Sequence, residues 1–187
     1  MNFNKHFELE GKHAFLSASK YHWLNYDEER LTEVYRNSQA VMQGTLLHQF
    51  ACDAITYGIP LQDIPQTLNM YVNDCIADHM SPEVVLVYSR NAFGTADGIS
   101  FDPDTMTLRI YDLKTGKTPA SIKQLLIYAA LFCLEYQVNP NDIYMHLRIY
   151  QNNEILVHEP EPEEVWDVMD RIIAFDAIID NIKMEAA

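Results

Sequence analysis

With 187 residues, 48% hydrophobic and 21% charged, the chain is long enough for one domain with a full core and has an ordinary globular composition. A formal net charge of −14 excludes DNA binding through a broad basic surface, though not through a narrow site where cations gather. No apolar run approaches a membrane span, the N-terminus lacks a secretory pattern, and three scattered cysteines (Cys52, Cys75, Cys133) exclude a disulfide framework or zinc site, so a cytoplasmic protein with reduced core thiols is expected.

Residues 1–13 are mostly polar. From His13 to Tyr26, Ser17 or Ser19 is placed to cap a short helix that packs Tyr21, Trp23 and Leu24 on the core. Glu28 to Gly58 follows a helical pattern, with Val41, Leu46, Leu47, Phe50, Ala51, Ala54 and Ile55 recurring at helical spacing before Gly58 and Pro60 end it. Gly44 lies inside this helix, where glycine costs about 1 kcal/mol relative to alanine, and so points to close packing or a close ligand. His48 follows one turn later on the same face.

Pro65 to His79 reads as a second helix, with Leu68, Tyr71, Val72, Cys75 and Ile76 on its apolar side. Glu83 to Arg90, Phe93 to Phe101 and Thr107 to Lys114 read as three strands. Pro119 suits the first turn of a helix that runs to about Val138 and stops at Asn139-Pro140-Asn141. Ile143 to Gln151 is a fourth strand, with Glu154 to His158 able to pair with it. The acidic segment 159–164 opens a last helix, its carboxylates at the positive end of the dipole. The order predicts a single α/β domain over residues 1–187, built on a mixed central sheet flanked by helices, with extra helices at both termini. Its core covers about 14–158 and its C-terminal helix about 161–185.

The stretch from Phe93 to Phe132 carries the chemistry. Asp112 and Lys114 are two apart on a strand and point the same way, while Leu113 points away and leaves its carbonyl near the polar edge. The Asp102-Pro103-Asp104 turn closes a hairpin that lays Asp97 beside Asp112, and Gly94 and Gly98 around Asp97 suggest a bulge or a close approach. Gln124 and Tyr128 share a helix face just after this strand. Lys114, Lys117 and Lys123 form the densest basic cluster in the chain. Asp97, Asp112, the imidazole of His48 and the Leu113 carbonyl make a mostly oxygen donor set that suits magnesium or manganese. A lysine beside such an ion suits metal-assisted hydrolysis of a phosphodiester.

Gly94-Thr-Ala-Asp97, Asp112-Leu-Lys114 and Gln124-x-x-x-Tyr128 resemble the motifs of the PD-(D/E)XK nuclease superfamily, in its RecB-like branch of phage exonucleases and CRISPR-adaptation nucleases. Gly44-Thr-Leu-Leu-His48 resembles the helix motif that supplies the metal-binding histidine of that branch, and Leu16 to Leu24 resembles the start of phage-encoded members. The resemblance implies a restriction-endonuclease-like αβββαβ core. It also implies metal ligation by His48, Asp97, Asp112 and the Leu113 carbonyl, with catalytic roles for Asp97, Asp112, Lys114, Gln124 and Tyr128. The implied activity is that of a DNA nuclease, an exonuclease on ends of linear duplex or on single strands, in phage or prophage recombination, repair or processing. A recombination or helicase partner and an oligomer belong to the same expectation; a membrane and an iron–sulfur cluster do not. The alternative is an inactive nuclease-fold scaffold or nucleic-acid-binding subunit.

Overall fold

The computed structural model describes residues 4–116 and 118–185. Two compact units divide the chain, Met1–Gln43 and Gly44–Ala187. The elements are α1 (Glu28–Thr56), α2 (Thr67–Ala77), β1 (Ser81–Val87), β2 (Phe93–Asp102), β3 (Thr107–Leu113), α3 (Lys123–Tyr136), β4 (Tyr144–Gln151), β5 (Glu154–His158) and α4 (Pro162–Glu185), with short 3-10 turns at Phe7–Leu9, Ala18–Asn25 and Pro140–Asp142.

The N-terminal unit departs from the helix expected between His13 and Tyr26. The segment is a 3-10 turn, broken at Lys20, and the Ser17 hydroxyl bonds the Ser19 hydroxyl rather than capping a backbone N–H. None of residues 4–43 is buried, and Tyr21 and Leu24 are exposed rather than packed on a core. A short 3-10 run eclipses its side chains every third residue and presents no continuous apolar stripe. Helix α1 opens with a cap the eye passes over, the Arg30 N–H donating to Asp27 Oδ1 at 2.8 Å.

The second unit is a five-stranded mixed sheet in the order β1-β2-β3-β4-β5, antiparallel except where β4 runs parallel to β3. That parallel pair requires a crossover, and α3 supplies it. One face of the sheet packs Leu108, Ile110, Leu147 and Ile149 against Ala129, Ala130 and Cys133 of α3 and Val165 and Met169 of α4. The other packs Tyr111, Leu113 and Tyr150 against Ala51, Ala54 and Ile55 of α1 and Tyr71, Val72 and Cys75 of α2. Each fully buried Leu or Ile contributes about 1.5–3 kcal/mol relative to exposure, so the sheet is held from both sides.

Helix α1 buries a narrower face than its apolar spacing suggested. Gly44, Ala51, Ala54 and Ile55 are buried, while Val41, Leu46 and Phe50 are exposed. Small residues allow a close approach to the sheet, and that leaves the larger ones outside. Helix α2 is tied by buried hydroxyls: Tyr111 donates to Asp78 and Tyr150 to Asp74, each at 2.6 Å. The β4–β5 turn, Asn152-Asn153, has φ of 53° and 61°, the left-handed pair of a tight hairpin. Among the described residues no helix is long and apolar enough to cross a membrane.

Candidate functional site

The site begins with a fault in the pleat of β2. Strands β1 and β2 pair at Pro82–Gly98 and again at Val84–Ala96, which leaves Glu83 opposite Asp97. Gly98 faces α2, since a Cβ there would lie 3.1 Å from Tyr71 Oη and 3.2 Å from Cys75 Sγ. Ala96 lies in the core on the α3 side. In an unbroken strand residues 96 and 98 share a face. Here the alternation slips by one at Asp97, and Glu83 marks the same point on β1 with a left-handed φ of 52°.

The slip frees Asp97 from the ladder. Its Oδ2 accepts the Leu113 N–H at 2.9 Å, where a strand carbonyl would otherwise stand. The β2–β3 ladder ends at Gly98–Tyr111, so Asp112 is the next residue across from Asp97. Glu83, Asp97 and Asp112 therefore form one acidic row across three strands.

His48 comes to this row from α1. Its Nδ1 is 3.6 Å from Asp97 Oδ2, and one ligand atom from each of His48, Glu83 and Asp97 lies within 4.8 Å of the others. Gly44 makes the approach possible: a Cβ there would stand 2.7 Å from Thr115 Oγ1, inside contact distance, just past the end of β3. The cost of a mid-helix glycine is thus matched by a seat for α1 beside the site.

Asp112 is 1% exposed. The Lys114 ammonium donates to its Oδ1 at 3.0 Å and stands 2.9 Å from its Oδ2 as an ion pair without hydrogen-bond geometry. The same ammonium donates to Gln124 Oε1 at 2.9 Å, and Gln124 Nε2 donates to Tyr128 Oη at 3.0 Å. Gly94 gives the tyrosine room, because a Cβ there would lie 2.9 Å from Tyr128 Cε1. A single line of polar groups therefore runs from Asp112 through Lys114 and Gln124 to Tyr128.

Both aspartates are pushed up from the usual carboxylate range. For Asp97 the cause is burial, opposed by the Leu113 N–H and by His48 and Lys114, with Glu83 adding to the rise. For Asp112 it is burial and then the charge of Asp97, against the contacts of Lys114. His48, Glu83 and Asp97 together form an imidazole and carboxylate cluster that could hold a metal ion.

Of the residues expected from sequence, His48 meets Asp97, while Asp112, Lys114, Gln124 and Tyr128 form a connected line; the group of ligand atoms within 4.8 Å of one another includes Glu83 and not Asp112. Leu113 is present through its amide, bonded to Asp97, and its side chain is buried on the α2 face. Lys123 is exposed at the start of α3, and Lys117 lies outside the described residues. Glu83 was missed. It looked like the first residue of a β-branched strand, and the signal was available only as hairpin register, which puts it across from Asp97. Comparison of the chain with protein-family models, with curated proteins and with solved structures found no match.

Proposed function

We propose that the chain is a magnesium- or manganese-dependent phosphodiesterase acting on DNA, with the site residues held on a restriction-endonuclease-like αβββαβ core. The observation that carries the proposal is a pair of aspartates pushed up from the usual carboxylate range, Asp112 buried with the Lys114 amine held on it and Asp97 half-buried with the His48 imidazole beside it. Buried charges of this kind are costly and serve no packing purpose. The element order from α1 to β4 and the four motifs along it support the same reading.

His48, Glu83, Asp97, Asp112 and the Leu113 carbonyl are the groups that would hold the metal. A bound divalent ion supplies Lewis acidity and an acidified water to a phosphodiester. Lys114 orients the attacking water or stabilises charge growing on the phosphoryl oxygens. Gln124 accepts from the ammonium and so fixes where its remaining proton points, and Tyr128 fixes Gln124. The substrate is DNA, digested from ends of linear duplex or along a single strand, in phage or prophage recombination, repair or processing, with a recombination or helicase partner and an oligomer as natural settings.

The net charge of −14 favours a second reading, a nuclease fold kept as a scaffold. Manganese titration by calorimetry separates the two, because a scaffold has no need of a tight site. The decisive assay digests end-labelled linear, circular, single-stranded and RNA substrates with the wild type and with Lys114→Ala. The variant is expected to bind manganese and to lose cleavage by about 10²-fold or more. Undiminished cleavage by Lys114→Ala would overturn the assignment.

A further inference from the structure

A cleft of about 280 Å³ opens beside Lys114. We propose that it is a nucleoside pocket, holding the base and sugar attached to the phosphate that is cut; the proposal rests on the hydrolytic reading above. Its size is just under the range of about 300–1,000 Å³ that accommodates drug-sized ligands, so it admits one nucleoside and not a length of duplex.

The walls carry the argument. Leu47 of α1 and Leu68 of α2, both half-buried, supply apolar surface from two different helices. Leu47 lies on α1 directly before His48, and Lys114 itself lines the cleft while its ammonium stays on Asp112, so the cleft adjoins the lysine of the site. Polar edges come from Thr115 and Asn152. Among the described residues neither side chain is in a hydrogen bond, although most polar side chains around them are. A flat heterocycle between leucines, with a free amide and a free hydroxyl at its edge, matches the way small-molecule pockets combine apolar faces with a few placed polar groups.

The frame is built in advance. Asn152 belongs to the tight β4–β5 turn, which is locked to α2: the Asn153 N–H donates to Thr67 Oγ1 at 2.7 Å and the Thr67 N–H donates to Asn153 Oδ1 at 3.0 Å. On the other flank Gln151 holds the segment after Thr115, donating to the Gly116 and Thr118 carbonyls at 2.6 and 2.8 Å and accepting from the Ala120 N–H at 3.1 Å. Rigid walls lower the ordering cost of binding.

The test uses the full chain with manganese and end-labelled oligonucleotides, one unmodified and one with a single abasic residue placed at successive positions. Wild type is expected to slow by about tenfold where the abasic residue meets the cleft, the usual worth of one held base. Leu68→Trp fills the cleft, and Asn152→Gly removes the amide while keeping a backbone that accepts positive φ. Both should slow digestion of the unmodified strand, leave the abasic stall at the wild-type rate, and keep manganese affinity unchanged. Multiplying losses on the abasic strand, or no abasic stall in wild type, overturns the pocket while leaving the hydrolytic reading intact. No digestion of the unmodified strand by wild type overturns that reading and the pocket with it.

Discussion

Gly44→Ala tests whether α1 is seated against the end of β3 by the absence of one methyl group. In an isolated helix the change gains about 1 kcal/mol. Here the new Cβ would stand 2.7 Å from Thr115 Oγ1, whereas ordinary contact begins at 3.4 Å. Overpacking of this kind costs about 1–3 kcal/mol, so the net effect runs from neutral to about 2 kcal/mol destabilising. In a Thr115→Ala background the hydroxyl is gone, and the next neighbour, the Cβ of residue 115, is at 3.8 Å, an ordinary distance. There the same change should stabilise by about 1 kcal/mol, so the sign reverses and the coupling is about 1–3 kcal/mol. Urea unfolding of the four proteins of the cycle, followed by tryptophan fluorescence, measures it. Stabilisation by about 1 kcal/mol in both backgrounds would show that α1 does not press on Thr115. Manganese titration adds a functional reading, since a displaced α1 carries His48 away from Asp97 and should weaken binding in Gly44→Ala alone.

Asp97→Asn keeps an acceptor for the Leu113 N–H and removes a carboxyl whose folded-state pKa is raised; the metal-free variant should therefore melt above wild type at neutral pH, and manganese should no longer raise its Tm. The sign follows from linkage: between the unfolded and folded pKa the native state binds more protons, so the group's contribution falls as pH rises through the folded value and is recovered on acidification. The Tm gap between the two metal-free proteins should accordingly close as pH drops toward the carboxylate range, and a gap constant with pH would refute this account. Tyr150→Phe removes the hydroxyl that donates to Asp74, with a loss of about 1–2 kcal/mol read by denaturant midpoint and an unchanged metal titration. Gln151→Ala frees the carbonyls of Gly116 and Thr118 and removes the acceptor of the Ala120 N–H, so exchange at the Ala120 amide should rise while exchange in β3 stays slow.

What the chain discloses before folding depends on how local the cause is. The Asp112–Lys114 pairing follows from two-residue alternation, and the Gln124–Tyr128 line from helical spacing, so both were visible. Asp97 was visible as a candidate, but its freedom from the ladder was not. Only the contrast between Ala96 facing α3 and Gly98 facing α2 exposes the slip, and that needs both helices in place. Glu83 escaped for the same reason, because its role comes from register with a strand that follows it. The exposed Val41, Leu46 and Phe50 fit a helical pattern but lost the core to Gly44, Ala51 and Ala54, since close approach rewards small side chains over large ones. The segment around Ser17 had helix-start residues, yet its hydroxyls bonded each other, and no periodicity in the letters distinguishes a capping serine from a self-paired one.

The irregularity at Glu83 has a second effect, on the outer rim of the sheet. Strand β1 is an edge, and Val85 and Val87 are exposed along it. An open edge of this kind invites strands of other molecules to add on, the first step toward fibrils. An incoming strand meets Pro82, which has no N–H to offer, and then a left-handed turn of the backbone at Glu83. Only the short run from Val84 to Val87 is left to pair. The distortion that brings the Glu83 carboxylate to His48 and Asp97 also keeps the sheet from recruiting its own copies.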